Sequence, residues 1–226
     1  MSDPLAPSQC APPVQPFFMQ LAGRRCLVVG SEGEAVEKCE QLLAAGAHVV
    51  WQSESSSEQM QLLRQKYPIE WVQGPFELEL LDGVWLVLCS GTEPALLPEL
   101  YRACEERQIF LNVVDVPAYC SLIWPAQIQR GVVSIAISTG GSSPALARWI
   151  RQQIEMVLPE PLGALALWLK DQRGRVKHLL TESFKQRAGF WSGLFKAGLV
   201  ECYLQNGPEA AQKRVDTALE KEEGRR

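Results

Sequence analysis

The sequence has little histidine and no closely paired cysteines. Among 226 residues there are 2 His, and the 7 Cys include no pair separated by two residues. A His-rich metal centre is therefore excluded, and a cysteine zinc site is less favoured than buried thiols. Because the cysteines mostly stand inside apolar runs, we expect buried reduced thiols rather than disulfides.

Positive charge and long apolar runs are also lacking. The 22 Lys and Arg face 26 Asp and Glu, a net charge of −4, which gives no electrostatic reason to expect nucleic acid or an anionic membrane as a partner. No run reaches the roughly 18 apolar residues that span a bilayer, and the N-terminus lacks the pattern of a signal segment. We therefore expect a cytoplasmic protein. A hydrophobic share of 46% is ordinary for a globular protein and supplies a full core.

The segment from Gly23 to Ala47 predicts a βαβ unit. The apolar run Cys26–Val29 predicts a buried strand that ends at Gly30, a helical pattern follows, and a second strand is predicted from Ala47. The first turn of such a unit points backbone N–H groups toward a phosphate. The dinucleotide-binding motif has a second glycine at the position where this chain has Glu32. An acidic first turn also suits a helix without a ligand, so a nucleotide site and a purely structural turn both stay open.

Further strands are predicted at Glu70–Gln73, Gly83–Ser90 and Ile109–Val114. They alternate with helices predicted at Met60–Tyr67 and Leu96–Arg107. This alternation predicts an α/β fold with a Rossmann-like parallel sheet.

The residues that follow these strands are candidate ligand contacts, because ligands collect outside the carboxyl ends of parallel strands. They are Gly30, Glu54, Gly91 and Asp115. Glu54 lies in a polar loop predicted over Gln52–Gln59, near the position of a ribose-binding acid; a solvated loop residue is the alternative. We expect all four positions to share one edge of the sheet.

Asp115 is the candidate general base. It follows an apolar strand, a pattern that favours burial and a raised pKa, and it faces the predicted crevice. Asp before Val-Pro is equally ordinary turn chemistry. The spacing alone leaves both interpretations open.

A loop rich in hydroxyl groups follows a strand predicted at Gly131–Ile137. The loop runs from Ser138 to Ser143 and precedes a helix that starts near Pro144. Its backbone and hydroxyl donors could bind carboxylates or phosphates, whereas helix capping by Ser143 is the alternative. The rest of the chain is predicted to be helical, with breaks at Pro159, Gly163, Gly174 and Gly207.

Four segments carry a family resemblance. They are LVVGSEGEAVEKCEQLLAAGAHV, GPFELELLDGVWLVLCSGTEP, IFLNVVDVPAYCSLIWPAQIQRG and VSIAISTGGSSPALARWIRQQIE. Together they resemble the precorrin-2 dehydrogenase and sirohydrochlorin ferrochelatase module, the N-terminal part of the siroheme synthases. The NVVD run followed by ISTGG and SPALAR is long and correctly spaced, and the similarity extends from about Pro16 into the helical tail.

The resemblance implies a role in siroheme biosynthesis: NAD-dependent oxidation of precorrin-2 to sirohydrochlorin, followed in some members by insertion of ferrous iron as a substrate. It implies that Asp115 assists proton removal. The implied NAD contacts are Gly30, Ser31, Glu32, Gly33, Glu34, Glu54, Ser55, Gly91 and Thr92. The implied contacts to the tetrapyrrole are Ser138, Thr139, Gly140, Gly141 and Ser142. No residue is assigned to a bound metal.

Composition, the helical pattern and this resemblance together divide the chain into four parts. These are a flexible tail at 1–15, an NAD-binding Rossmann-like domain at 16–115, a dimerisation and substrate-loop segment at 116–150, and a helical domain at 151–226. Family members are intertwined homodimers, so a homodimer is expected. The family's second and third turn glycines are Ser31 and Glu32 here, which makes a tetrapyrrole-binding or chelating relative without NAD-dependent activity the alternative.

Overall fold

A computed structural model describes residues 14–30, 33–181 and 183–223. These residues divide into two compact units. The first holds the residues up to Trp124 together with Ser138–Pro144, and the second holds Pro125–Ile137 and the residues from Ala145 onward. The domain boundaries expected from the sequence stay a prediction.

The first unit contains a five-stranded parallel sheet with the order β3-β2-β1-β4-β5. Its strands are β1 Arg25–Val29, β2 His48–Ser53, β3 Glu70–Gln73, β4 Leu86–Cys89 and β5 Phe110–Val113. Its helices are α1 Glu34–Ala44, α2 Glu58–Lys66 and α3 Leu97–Arg107, with 3₁₀ turns at Leu78–Leu81 and Pro117–Tyr119. The predicted α/β, Rossmann-like fold is confirmed.

Successive side chains of each strand point to opposite faces of the sheet, so an apolar core forms on each face. In β1, Cys26 and Val28 pack into one apolar cluster, and Leu27 and Val29 pack into the other. Burial of both faces is why the central strands read as continuous apolar runs rather than as alternating ones.

Helix α1 ends as its sequence predicts. Gly46 adopts a φ of 77°, its N–H donates to Leu43 O at 2.9 Å, and the Ala47 N–H donates to Leu42 O at 3.1 Å. This is a Schellman motif, which requires a left-handed residue and favours glycine. The turn returns the chain to β2 in the register that places Trp51 opposite Val28.

Three details of the sequence interpretation are wrong. Gln52 and Ser53 belong to β2 and are buried rather than part of a polar loop. The breaks predicted at Gly163 and Gly174 are absent, because both residues lie inside the continuous helix Leu162–Leu179. The predicted strand near Gly131 has an antiparallel partner at Ala126–Arg130, whose short alternation of apolar and Gln residues was not recognised.

The second unit combines this hairpin with four helices among the residues described. Its elements are β6 Ala126–Arg130, β7 Val133–Ile137, α4 Pro144–Val157, α5 Leu162–Leu179, α6 Phe184–Lys196 and α7 Leu199–Glu223. The predicted break at Pro159 separates α4 from α5, and the one at Gly207 is a kink in α7 with a φ of 81°. The last three helices share one apolar core. Across the described ranges, no helix is both long and apolar enough to span a bilayer.

Replacing Gly163 with Ala is expected to destabilise the second unit. A methyl group there would overlap the Arg130 carbonyl oxygen and lie 2.8 Å from Gly131 Cα, so we expect a loss of about 1 to 3 kcal/mol in the free energy of unfolding. Gly174→Ala is the matched control in α5, since no atom lies within 4 Å of the added methyl. That variant should gain about 0.5 to 1 kcal/mol. Denaturant unfolding measures the stability of both variants. Equal unfolding midpoints would contradict the expected loss in Gly163→Ala.

The described cysteines are free thiols, as expected. Burial raises the pKa of Cys26 to about 11 and that of Cys39 and Cys104 to about 12, so these thiols stay protonated at neutral pH. Cys10 lies outside the described residues. Cys120 is half-buried, whereas the other described cysteines are buried.

Candidate functional site

The candidate site lies along the carboxyl edge of the parallel sheet. The order β2-β1-β4-β5 is continuous, so the residues after these strands share one edge, as predicted. Glu54 directly follows β2, Gly30 follows β1, Gly91 stands two residues beyond β4, and Asp115 stands two residues beyond β5. The chain reverses direction across the sheet between β1 and β4, and open sheets of this class bind ligands at that crevice.

Position 30 requires a glycine because the chain after β1 packs closely against the chain after β4. Its φ is 108°, and a Cβ there would overlap the carbonyl oxygen of Ser90. Its N–H donates to Gln52 O at 3.0 Å, and its carbonyl oxygen accepts from the Trp51 indole N–H. Both backbone groups of Gly30 are therefore engaged inside the protein, and its expected contact with NAD stays a prediction.

The N-terminus of α1 follows this turn. Ser31 and Glu32 lie outside the described residues. Gly33 has a φ of 56°, and a Cβ added there would have no atom within 4 Å, so the space beside it is open. Glu34 begins the helix and pairs with Lys38, with 2.6 Å between Oε2 and Nζ. Lys38 thus offsets one acid of the first turn, a partner missed from the sequence although the i, i+4 spacing signals it.

The residues after β2 sit above a buried polar network. Glu54 and Ser55 are exposed, and the Glu54 backbone oxygen accepts from Gln73 Nε2 at 3.3 Å. Below them, Ser53 Oγ accepts from the Trp71 indole at 3.1 Å, and the Gln52 amide donates to Gly74 O. This network fixes the strand end from which Glu54 projects. On the other side of β1, Gly91 is exposed with a φ of 69°, and Thr92 is half-buried.

Asp115 stands at the third position of a four-residue turn. Val116 N–H donates to Val113 O at 3.3 Å, and Asp115 has a φ of 61°. The side chain is exposed, so the expected burial is wrong: Val114 and Asp115 form a turn beyond the strand and do not continue it. A non-glycine residue in the left-handed region is strained, and such residues cluster at functional sites.

The loop from Ser138 to Ser143 uses many of its donors internally. Ser138 Oγ accepts from Gly140 N–H at 3.1 Å, and Thr139 Oγ1 accepts from Ser143 N–H at 3.1 Å. Thr139 O accepts from Ser142 N–H at 3.1 Å. Gly140 and Gly141 both have positive φ, at 62° and 78°. The loop groups with the parallel-sheet unit, and its role as a substrate contact stays a prediction.

The described residues at the sheet edge fit a dinucleotide. The space beside Gly33 at the start of α1 is open, Lys38 offsets Glu34, and Glu54 is exposed directly after β2. No group of three His, Cys, Asp or Glu that could hold a metal occurs among the residues described. An open parallel sheet with a helix N-terminus at the crevice is the architecture of a dinucleotide-binding protein.

Comparisons with known proteins agree with this architecture. Residues 17–126 match the family model described as "Putative NAD(P)-binding", and residues 130–156 match the one described as "Sirohaem biosynthesis protein central". The chain is 36% identical over 205 residues to the siroheme synthase of Photorhabdus laumondii, covering 91% of this chain and 43% of that one. It is 37% identical over 204 residues to siroheme synthase 2 of Cronobacter sakazakii, covering 90% and 44%.

The chain belongs to the siroheme synthase family and spans less than half the length of these relatives. A solved precorrin-2 dehydrogenase, SirC, has the same fold, with a TM-score of 0.70 and 18% identity, covering 91% of this chain and 98% of that one. The resemblance identified from the sequence is confirmed.

Proposed function

We propose that the protein is an NAD-dependent dehydrogenase that oxidises precorrin-2 to sirohydrochlorin in siroheme biosynthesis. The observation that carries the proposal is the exposed carboxylate of Asp115, held in a strained turn on the same sheet edge as the N-terminus of α1. Oxidation of precorrin-2 requires a base that accepts a proton and a nucleotide that accepts a hydride. Asp115 and the proposed NAD site would supply these two groups at one edge of the sheet.

The residues of this chain would divide the reaction between them. Gly33, the start of α1 and Glu54 would hold NAD, which accepts a hydride when bound. Asp115 is exposed at the edge and can accept the proton that leaves the tetrapyrrole. The loop Ser138–Ser142, in which Ser138, Gly141 and Ser142 are exposed, would orient substrate carboxylates through neutral donors. Insertion of ferrous iron into the product is part of the proposal, with Asp115 accepting pyrrole protons.

Titration of the purified protein with NAD, followed by turnover of enzymatically made precorrin-2, tests this function. NAD binding together with NADH formation at 340 nm is the expected result. Tetrapyrrole binding without NAD binding would favour the alternative of a relative that has lost the redox step. In that case Glu32→Gly should restore NAD binding, because it removes a like charge worth about 1 to 4 kcal/mol near a phosphate.

We also propose that the protein works as a homodimer. Four apolar residues of α4, spaced along one side of the helix, are exposed: Leu146, Trp149, Met156 and Val157, at 48%, 56%, 71% and 76%. The adjacent side of α4 packs Ile150 and Ile154 against the hairpin. Exposed apolar side chains gathered on one side of a helix in this way mark an interface, although Gln153 lies among them.

Replacing Trp149 with Glu is expected to convert the dimer to a monomer. A buried unpaired carboxylate at an interface costs several kcal/mol, enough to shift association by about a hundredfold or more. Sedimentation velocity measures the mass, and Arg148→Gln on another side of α4 is the control, because it also lowers the net charge by one. A wild-type mass of one chain would contradict the dimer.

A further inference from the structure

The segment after Asp115 folds back along the free edge of β5. Leu111 N–H donates to Ser121 Oγ at 2.9 Å, and Leu111 O accepts from the N–H groups of Ser121 and Leu122 at 2.9 and 3.0 Å. The side-chain amide of Asn112 donates from Nδ2 to Leu122 O at 2.9 Å. The chain from Asn112 to Leu122 therefore forms a closed loop, with Asp115 near its tip.

The thiol of Cys120 contacts both ends of the turn that carries Asp115. Its Sγ accepts from Val113 N–H at 3.2 Å, lies 3.2 Å from Val113 O, and lies 3.5 Å from Val116 O. Burial raises the pKa of this thiol, so it keeps its proton at neutral pH. Sulfur can then accept from the Val113 amide while S–H donates to a carbonyl oxygen.

The turn needs such a support. A left-handed conformation is unfavourable for a residue with a Cβ, and it persists only where the surroundings determine it. The hydrogen bond within the turn, from Val116 N–H to Val113 O, is long at 3.3 Å. Cys120 is the side chain that spans Val113 and Val116.

We propose that Cys120 is a positioning residue, whose thiol clamps Val113 to Val116 and thereby aims the Asp115 carboxylate. The proposal rests on the proposed function where it concerns catalysis, and on the fold alone where it concerns the clamp. Cys120 does not need to contact the substrate, since misplacement of a catalytic group by about 1 Å can cost a hundredfold in rate.

Kinetics of three variants test the catalytic part. Cys120→Ala is expected to lower kcat for precorrin-2 oxidation by about tenfold or more, with KM and the Kd for NAD within about threefold. Cys120→Ser should recover part of the loss, because a hydroxyl also donates and accepts. Cys104→Ala is the matched control, as Cys104 is buried in the apolar cluster against which Cys120 packs. It should lower the Tm and leave kcat within about twofold. Wild-type kcat in folded Cys120→Ala, or an equal loss of kcat in Cys104→Ala, overturns the proposal.

Amide hydrogen exchange tests the clamp without any turnover. In the wild type the Val113 amide should be protected, and Cys120→Ala should accelerate its exchange about tenfold or more relative to Val28 in the central strand. Unchanged exchange at Val113 overturns the clamp. If the wild type does not oxidise precorrin-2, the proposed function fails, whereas the exchange result still decides whether Cys120 holds the turn.

Discussion

Asp115→Asn is expected to lower kcat for NAD-dependent precorrin-2 oxidation by about 10² to 10⁴-fold, the usual contribution of a general base. The amide has the shape of the carboxylate and tolerates a φ of 61° equally well. The Tm and the affinity for NAD should therefore stay at their wild-type values, so a loss of activity reports on the carboxylate alone.

Two further variants keep this experiment decisive. Asp115→Gly removes the base and relieves the left-handed strain, so it should be inactive with no loss of thermal stability. Asp82→Asn removes another exposed acid that follows the 3₁₀ turn Leu78–Leu81, and it should retain full activity. If Asp115→Asn keeps kcat within about tenfold of wild type, Asp115 is not the base.

Gly30→Ala is expected to cost about 2 to 5 kcal/mol in the free energy of unfolding. About 1 to 2 kcal/mol comes from the unfavourable left-handed backbone, and about 1 to 3 kcal/mol comes from the overlap with the Ser90 carbonyl. Because small domains are stable by only about 5 to 15 kcal/mol, much of the variant should be insoluble. Soluble yield and denaturant midpoint measure the loss.

Gly33→Ala is the matched control for this loss. Gly33 has a φ of 56° and a ψ of −123°, a conformation that suits glycine alone, but the space around it is open, so only a backbone cost of about 1 to 3 kcal/mol applies. The variant should fold, and its methyl group should weaken NAD binding if the dinucleotide lies across the start of α1. A fold as damaged as that of Gly30→Ala would contradict the assignment of Gly30 to packing and of Gly33 to the open side of the turn.

The parallel sheet could be predicted from the sequence because its signals are local. Continuous apolar runs such as Leu86–Cys89 have one interpretation when helices alternate with them. Gly46 marked the end of α1, and the C-terminal Gly207 marked a real kink. Since strand order follows from connection rules, the four post-strand positions could also be placed on one edge.

The features that were missed depend on contacts between distant residues. Gln52 and Ser53 look like the start of a loop, but Trp71 and Gly74 satisfy their polar groups and allow burial. The exposure of Asp115 follows from a turn stabilised by Cys120, which lies after the strand. The strand β6 was hidden because a five-residue alternation needs its partner β7 to be recognised.

The segment that folds back along β5 also affects the tendency of the protein to aggregate. An edge strand with unpaired N–H groups is a template on which a second molecule can add a strand. At β5 the Leu111 and Val113 amides are taken by a hydroxyl and a thiol, while the opposite edge, β3, is only four residues long and begins with a charged Glu70. Loss of the Ser121 hydroxyl or the Cys120 thiol would therefore free one N–H group of this edge, whereas the backbone bonds from Ser121 and Leu122 to Leu111 O would still protect the strand from adding a second molecule.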